Sequence, residues 1–238
     1  MTARGLHGEA YRGHIFWDEL FILPFYFKHF PDAAKSLMMY RYRRLDKARA
    51  NAQKNNKKGA LIPWQIADIG EEETQEIHYN PMSGDWDPDL SRKQRHVSIA
   101  VAFNVINYYH HTQDENFLAK EGGEMLLEIV RYWASKVVFD EKDRRYHINR
   151  VMGPDEFHEK YPENPVTDGG IDDNAYTNLM VSWLLKRAID LLPIIDDETK
   201  QKIDIQKDKE KKEWATIADR LYVSIKDNVL EQFKGYFK

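Results

Sequence analysis

Apolar positions recur at helical spacing along most of the chain, and strand-like alternation is confined to one stretch. Residues 14–30 (HIFWDELFILPFYFKHF) are almost all apolar or aromatic, which predicts a buried helix that Pro24 ends or kinks. Pro31-Asp32 opens a second helix, predicted to about Gln53. Leu37, Met38, Tyr40, Arg41, Leu45 and Ala48 form its stripe, and Lys35, Arg43, Asp46 and Lys47 face elsewhere. A third helix is predicted over 94–111, with Val97, Ala100, Val101, Asn104, Val105 and Tyr108 on one face. A fourth follows the capping stretch Thr112-Gln113-Asp114 and carries Phe117, Met125, Ile129, Tyr132, Trp133 and Val137. Residues 137–152 read as a β-hairpin around a charged turn. A fifth helix starts near Asp172 or Asp173 and stops at Pro193. After a charged stretch over 196–213, a sixth carries Trp214, Ile217, Ala218, Leu221, Tyr222 and Ile225. The class is therefore mostly α, and no helical repeat of fixed period is visible.

Residues 54–93 break the pattern. A connection this long without periodicity is usually functional or disordered. Trp64, Tyr79 and Trp86 argue against disorder, so an ordered wall of a binding cleft is expected. Asp85, Asp87 and Asp89 imitate the start of a calcium loop. Leu90 and His96 stand where that loop needs Gly and Glu, which excludes an EF-hand and leaves turn capping or sugar hydrogen bonding open. His110 and His111 are adjacent on a helix and point apart, a poor metal pair.

Composition narrows the classes. The chain has 238 residues, 42% of them hydrophobic, enough for a core. A net charge of -4 with acids and bases interspersed offers no basic field for nucleic acid. No apolar run is long enough to span a membrane, and residues 1–13 lack the apolar centre of a signal peptide, although the natural start can lie upstream. With no cysteine there is no disulfide framework, thiolate metal site or cysteine nucleophile. Location stays open, with the cytoplasm favoured.

The chemistry is expected in residues 153–178, GPDEFHEKYPENPVTDGGIDDNAYTN. Asp155, Glu156, His158 and Glu159 follow a Gly-Pro turn on a loop too rich in Pro, Gly and Asp to be helix. A carboxyl in a partly desolvated cleft keeps its proton near neutral pH, as a general acid must. On local composition alone, a solvated acidic loop capping the next helix is the better account of these residues. A metal enzyme using Asp155, His158 and Glu159 rests on residue type only.

Six segments, in order, carry a resemblance: Ala3-Arg-Gly-Leu6, Gly13-His-Ile-Phe-Trp-Asp18, the Tyr40-Arg-Tyr-Arg43 helix with Ala48-Arg-Ala-Asn51, Gly59-Ala-Leu-Ile-Pro-Trp64, Gly153-Pro-Asp-Glu-Phe-His158 and Asp173-Asn-Ala-Tyr-Thr-Asn178. Together they resemble the catalytic domain of glycoside hydrolase family 65, the maltose, trehalose and kojibiose phosphorylases and their hydrolase relatives. The resemblance implies an (α/α)6 barrel, a toroid of six helical hairpins, of which this chain would be about the first half with one β-hairpin. The upstream β-sandwich and the downstream half of the barrel would be absent. It also implies inverting cleavage of α-linked glucose disaccharides by phosphorolysis or hydrolysis. By matched position Glu156 is the general acid, and Trp17 and Asp18 hold the non-reducing glucose. Asp155 and His158 shape the acid loop, and Trp64, Tyr176 and Asn178 belong to the cleft. No metal and no cofactor are implied; inorganic phosphate is the co-substrate of a phosphorylase.

Two inserts depart from the phosphorylase pattern, residues 160–171 and the stretch Pro81 to Ser91, and they point to an altered acceptor pocket, towards hydrolase relatives or an unusual acceptor. The general base of a hydrolase, or the phosphate site of a phosphorylase, is expected beyond Lys238. The alternative to an enzyme is a truncated helical domain that binds sugar or another chain without turnover. A half barrel would expose apolar faces, so a homo-oligomer belongs among the expected states.

Overall fold

The computed structural model describes residues 11–154, 159–165 and 169–237. These are mostly helical. The order is α1 (Glu19–His29), α2 (Pro31–Tyr42), α3 (Leu45–Lys54), a hairpin of β1 (Ile77–Asn80) and β2 (Asp85–Pro88), then α4 (His96–Thr112). A short α5 (Glu115–Phe117) and a π-helical turn (Leu118–Gly122) lead into α6 (Gly123–Lys136). The hairpin of β3 (Val138–Asp140) and β4 (Arg145–His147) precedes α7 (Ala175–Leu191), α8 (Asp197–Lys202) and α9 (Lys207–Arg220). A last hairpin pairs β5 (Ile225–Lys226) with β6 (Val229–Leu230).

Helices α4 and α6 form the centre. Both are buried around most of their circumference, and α4 packs against α1, α2, α6 and α7. Phe117, Tyr132, Trp133 and Trp214 are among the largest side chains wholly inside. No described helix is long and apolar enough to cross a membrane.

Several expected elements differ. Residues 14–30 are not one buried helix: α1 starts only at Glu19, continues through Pro24, and buries just Glu19, Leu23 and Phe27. Phe21, Phe25 and Phe30 remain exposed, because only the i, i+4, i+8 row of the helix faces α4. The second predicted helix is two. The Arg44 guanidinium lies 3.8 Å from the Tyr40 ring centroid and donates to the carbonyls of Tyr40 and Asp68, and the Tyr40 hydroxyl donates to Ala67 O. These bonds go to loop backbone, which an apolar stripe cannot reveal. The fourth predicted helix is interrupted after Phe117. A Cβ on Gly123 would stand 2.5 Å from Leu118 O and 2.8 Å from Ile195 Cγ1, so the chain there fits against residue 195 only with glycine. The sixth begins at Lys207, inside the charged stretch, and stops before Tyr222 and Ile225. The β1–β2 hairpin lies within the connection that lacked periodicity: its strands are four residues each and largely exposed, and Ile77, Tyr79 and Trp86 on one face cover no core.

An internal ion-pair network binds α3 to α6 and the C-terminal helices. Arg49 reaches Glu124 (2.7 Å), Glu128 (2.8 Å) and Asp46 (2.7 Å); Arg131 reaches Glu128 (3.0 Å) and Glu210 (2.7 Å); Lys202 reaches Glu124 (2.7 Å). Burial opposes the Glu124 charge, but hydrogen bonds from Arg49, Lys202 and Tyr42 outweigh it and hold its pKa below the usual glutamate value. Beside this network, Gly59 sits at φ +70° with its Cα against the α6 backbone, where a Cβ would lie 2.1 Å from Glu128 O. Ala60 N–H then donates to that same oxygen at 2.8 Å. Arg49→Met would leave two buried carboxylates short of a partner. A loss of about 3 kcal/mol is expected, the low end for a broken buried pair because Lys202 and Arg131 remain; the urea midpoint of the variant against the native protein measures it.

Candidate functional site

The segment before α1 and the start of the long connection are fastened to each other. Ile15 and Ile66 exchange backbone hydrogen bonds at 2.9 and 3.1 Å, and Gln65 Nε2 meets His14 Nδ1 at 2.7 Å. This bridge sets Phe16, Trp17 and Asp18 beside Trp64 and Gln65. Buried Arg41 of α2 fixes both flanks of the Trp17-Asp18 step: its guanidinium donates to Phe16 O at 2.9 Å and to Glu19 Oε2 at 3.1 Å. The other wall is held by Glu72, whose two carboxylate oxygens accept the N–H groups of Gln65 (3.1 Å) and Trp64 (3.2 Å). Its Oε1 also accepts the Thr74 hydroxyl.

A cleft of about 340 Å³ opens between these segments. Tyr11, Phe16, Trp17 and Trp64 supply its aromatic surface, and Arg12, Asp18, Gln65, Glu73, Gln75 and Asp89 its polar groups. Asp89 is fixed through one oxygen by Ser91 N–H (2.8 Å) and through the other by Gln75 Nε2 (2.7 Å). A few aimed polar groups against aromatic faces match a polyol ligand, with hydroxyls to bond and a CH face to cover.

A second cleft, of about 440 Å³, lies on the other side of Trp17 and is mainly apolar. Trp17, Leu20, Phe21, Pro154, Asn174, Tyr176 and Gln232 line it. Tyr176 stands in the first turn of α7, whose N-cap Asn174 accepts the Thr177 N–H at 3.0 Å. Burial pushes the Tyr176 hydroxyl pKa up. Just before that cap, Asp173 is wholly buried and ties the hairpin to the helix, accepting Ile148 N–H (3.2 Å), Asn178 Nδ2 (3.2 Å) and His147 Nδ1 (2.7 Å).

The structure thus brings Trp17, Asp18 and Trp64 into one cleft and Tyr176 into its neighbour, with Trp17 shared. Asn178 lines neither: it has no exposed surface and donates to Asp173 Oδ1 and to Tyr222 O at 2.8 Å. Asp155, Glu156 and His158 lie outside the described residues. Asp140, Asp143 and His147 bring potential metal-ligand atoms within 4.8 Å of one another, but His147 offers its nitrogens to Asp173 and Asp143, a structural tie.

Sequence reasoning passed over Arg41, Glu72 and His96. Arg41 looks like one more residue of an apolar stripe, Glu72 like one of an acidic run, and His96 stands out only as the wrong residue for a calcium loop. His96 opens α4, is 1% exposed, and neither ring nitrogen has a hydrogen-bond partner among the described residues. Trp17, Trp64 and Tyr176 surround it at ring-centroid distances of 4.6, 5.5 and 6.1 Å. Burial drops its pKa to about 3, so the imidazole is neutral at physiological pH.

All 238 residues match the model of the glycosyl hydrolase family 65 central catalytic domain. An uncharacterized glycosyl hydrolase of Mycobacterium tuberculosis is 45% identical over 99% of this chain and 18% of its own length. Trehalose 6-phosphate phosphorylase of Lactococcus lactis is 43% identical over 99% of this chain and 29% of its own. For kojibiose phosphorylase of Thermoanaerobacter brockii the values are 38%, 100% and 30%. A solved structure from the human microbiome that carries the name kojibiose phosphorylase superposes with a TM-score of 0.81 at 28% identity, covering 100% of this chain and 32% of that one. The chain therefore spans less than a third of the length of these relatives.

The neutral buried imidazole makes stability depend on acid. Its pKa is lower folded than unfolded, so the unfolded chain binds the extra proton and stability falls as pH drops from about 6.5 towards 3, by about 1.4 kcal/mol per unit. The three rings facing His96 carry no charge in this range. Replacing His96 by Phe is expected to flatten that slope, read as the difference between native and variant urea unfolding free energies from pH 7 to pH 4.

Proposed function

The chain belongs to glycosyl hydrolase family 65, and from that premise we propose that it is part of an inverting glycoside phosphorylase acting on α-linked glucose disaccharides. The observation that carries this reading is the shared position of Trp17. It walls the polar first cleft with Asp18 and Trp64, and it also walls the second cleft with Pro154, two residues before Glu156.

In this reading the non-reducing glucose lies against Trp17 and Trp64, with Asp18 accepting from its hydroxyls. Glu156, two residues after Pro154 in the sequence, gives its proton to the glycosidic oxygen as the C1–O bond breaks. Inorganic phosphate, the co-substrate, attacks C1 from the opposite face, and the products are β-glucose 1-phosphate and the free acceptor sugar. An incoming phosphate is already an anion, so the protein has to supply a binding site for it, where a hydrolase must supply a second carboxylate as base. The phosphorylase names of the Lactococcus and Thermoanaerobacter relatives favour phosphate over water as the nucleophile. The fold that goes with this reading is an (α/α)6 barrel of which these helices are about the first half, with the nucleophile's site in the other half and a β-sandwich upstream.

The test is product analysis by the full-length enzyme that contains this segment, on maltose, trehalose, nigerose and kojibiose with and without phosphate, beside Glu156→Gln. Phosphate-dependent glucose 1-phosphate is expected, with kcat reduced at least about 100-fold in the variant. Cleavage without phosphate would replace phosphorolysis by hydrolysis. Saturable disaccharide binding without product would point to a sugar-binding domain that does not turn over.

A further inference from the structure

Resting on the sugar-site reading above, we infer that His96 is a specificity-determining residue of this site, exchanging a hydrogen bond with one hydroxyl of the bound glucose where the two clefts meet at Trp17. Three observations converge. The first is chemical: a neutral imidazole carries one N–H donor and one lone-pair acceptor, and neither is used within the described residues although both lie in the interior. Buried polar groups are nearly always satisfied, so an orphan pair in an ordered core marks a place where a partner arrives from outside the protein.

The second observation is position. The rings that enclose His96 are those that line the clefts: Trp64 belongs to the first, Tyr176 to the second and Trp17 to both. Trp17 meets the imidazole edge-on at 79°, and Tyr176 does so at 86°. His96 itself lines neither cleft: it stands behind these rings, so a ligand seated on Trp17 reaches its nitrogens only when Trp17 or Tyr176 moves aside. The third is electrostatic: burial keeps the ring neutral, so it retains both a donor and an acceptor in the working pH range, whereas a charged imidazolium could only donate. A structural histidine would have its nitrogens bonded, as those of His147 are to Asp173 and Asp143.

The test is calorimetric binding of glucose and of its 2-, 3-, 4- and 6-deoxy analogues to the native protein, His96→Phe and His96→Gln. Thermal melts verify that each variant is folded. The native protein is expected to bind one deoxy analogue about 10-fold or more weaker than glucose. His96→Phe should lose that same factor for glucose and cease to distinguish the analogue, and His96→Gln, which keeps a donor and an acceptor, should recover part of the discrimination. Equal weakening of all five sugars in His96→Phe, or a native pattern of preferences in it, overturns the inference and leaves the sugar site standing. Absence of glucose binding by the native protein overturns the sugar-site reading itself.

Discussion

The position of Trp17 and Asp18 depends on one buried guanidinium. Arg41, only 2% exposed, donates to Phe16 O and to the Glu19 carboxylate, so it grips the chain on both sides of the step that presents the two side chains. The grip is directional. An apolar residue of equal volume would fill the space between α1 and α2 without fixing the angle at which α1 begins. Because Trp17 walls both clefts, an error there displaces both at once.

The same device recurs around the site. Glu72 accepts two consecutive N–H groups at Trp64 and Gln65, Asp89 uses one oxygen on Ser91 and the other on Gln75, and Asp173 gathers Ile148, Asn178 and His147. Glu72 and Asp89 bind backbone or amide groups of a segment with no regular structure, whereas Asp173 ties the β3–β4 hairpin to α7. Irregular backbone cannot satisfy its own donors, and in the interior an unmet donor is costly. These carboxylates supply the missing acceptors, and the connection over 54–93 is thereby ordered without being helix or sheet.

This division explains what was legible in the sequence. The stripes of α4, α6 and α7 could be read because packing on a helix repeats, and the β3–β4 hairpin could be read because alternation does too. The break between α2 and α3 could not, since Arg44 ends the helix by bonding a carbonyl 24 residues away, at Asp68. Trp17, Asp18 and Trp64, which share the first cleft, were singled out through their motifs. Arg41 was counted as one member of an apolar stripe, and His96 was noticed only as the wrong residue for a calcium loop. Whether a buried polar group is satisfied is a property of three-dimensional neighbours, and no spacing rule reports it.

The anchors also bear on how the domain can change. Replacing buried ion pairs by well-packed apolar groups is often neutral or stabilising, so stability alone does not require Arg41 with Glu19, or Arg49 with Glu124 and Glu128. The two pairs differ in what they hold. Arg49 joins helix to helix, a contact that apolar packing could replace. Arg41 holds a turn whose backbone oxygen needs a donor, and a methionine or leucine there would fill the volume yet leave Phe16 O unmet and Glu19 buried beside it. The helical frame can therefore tolerate repacking through most of α4, α6 and α7, while the turn before α1 is confined to a residue that donates two hydrogen bonds from one planar group.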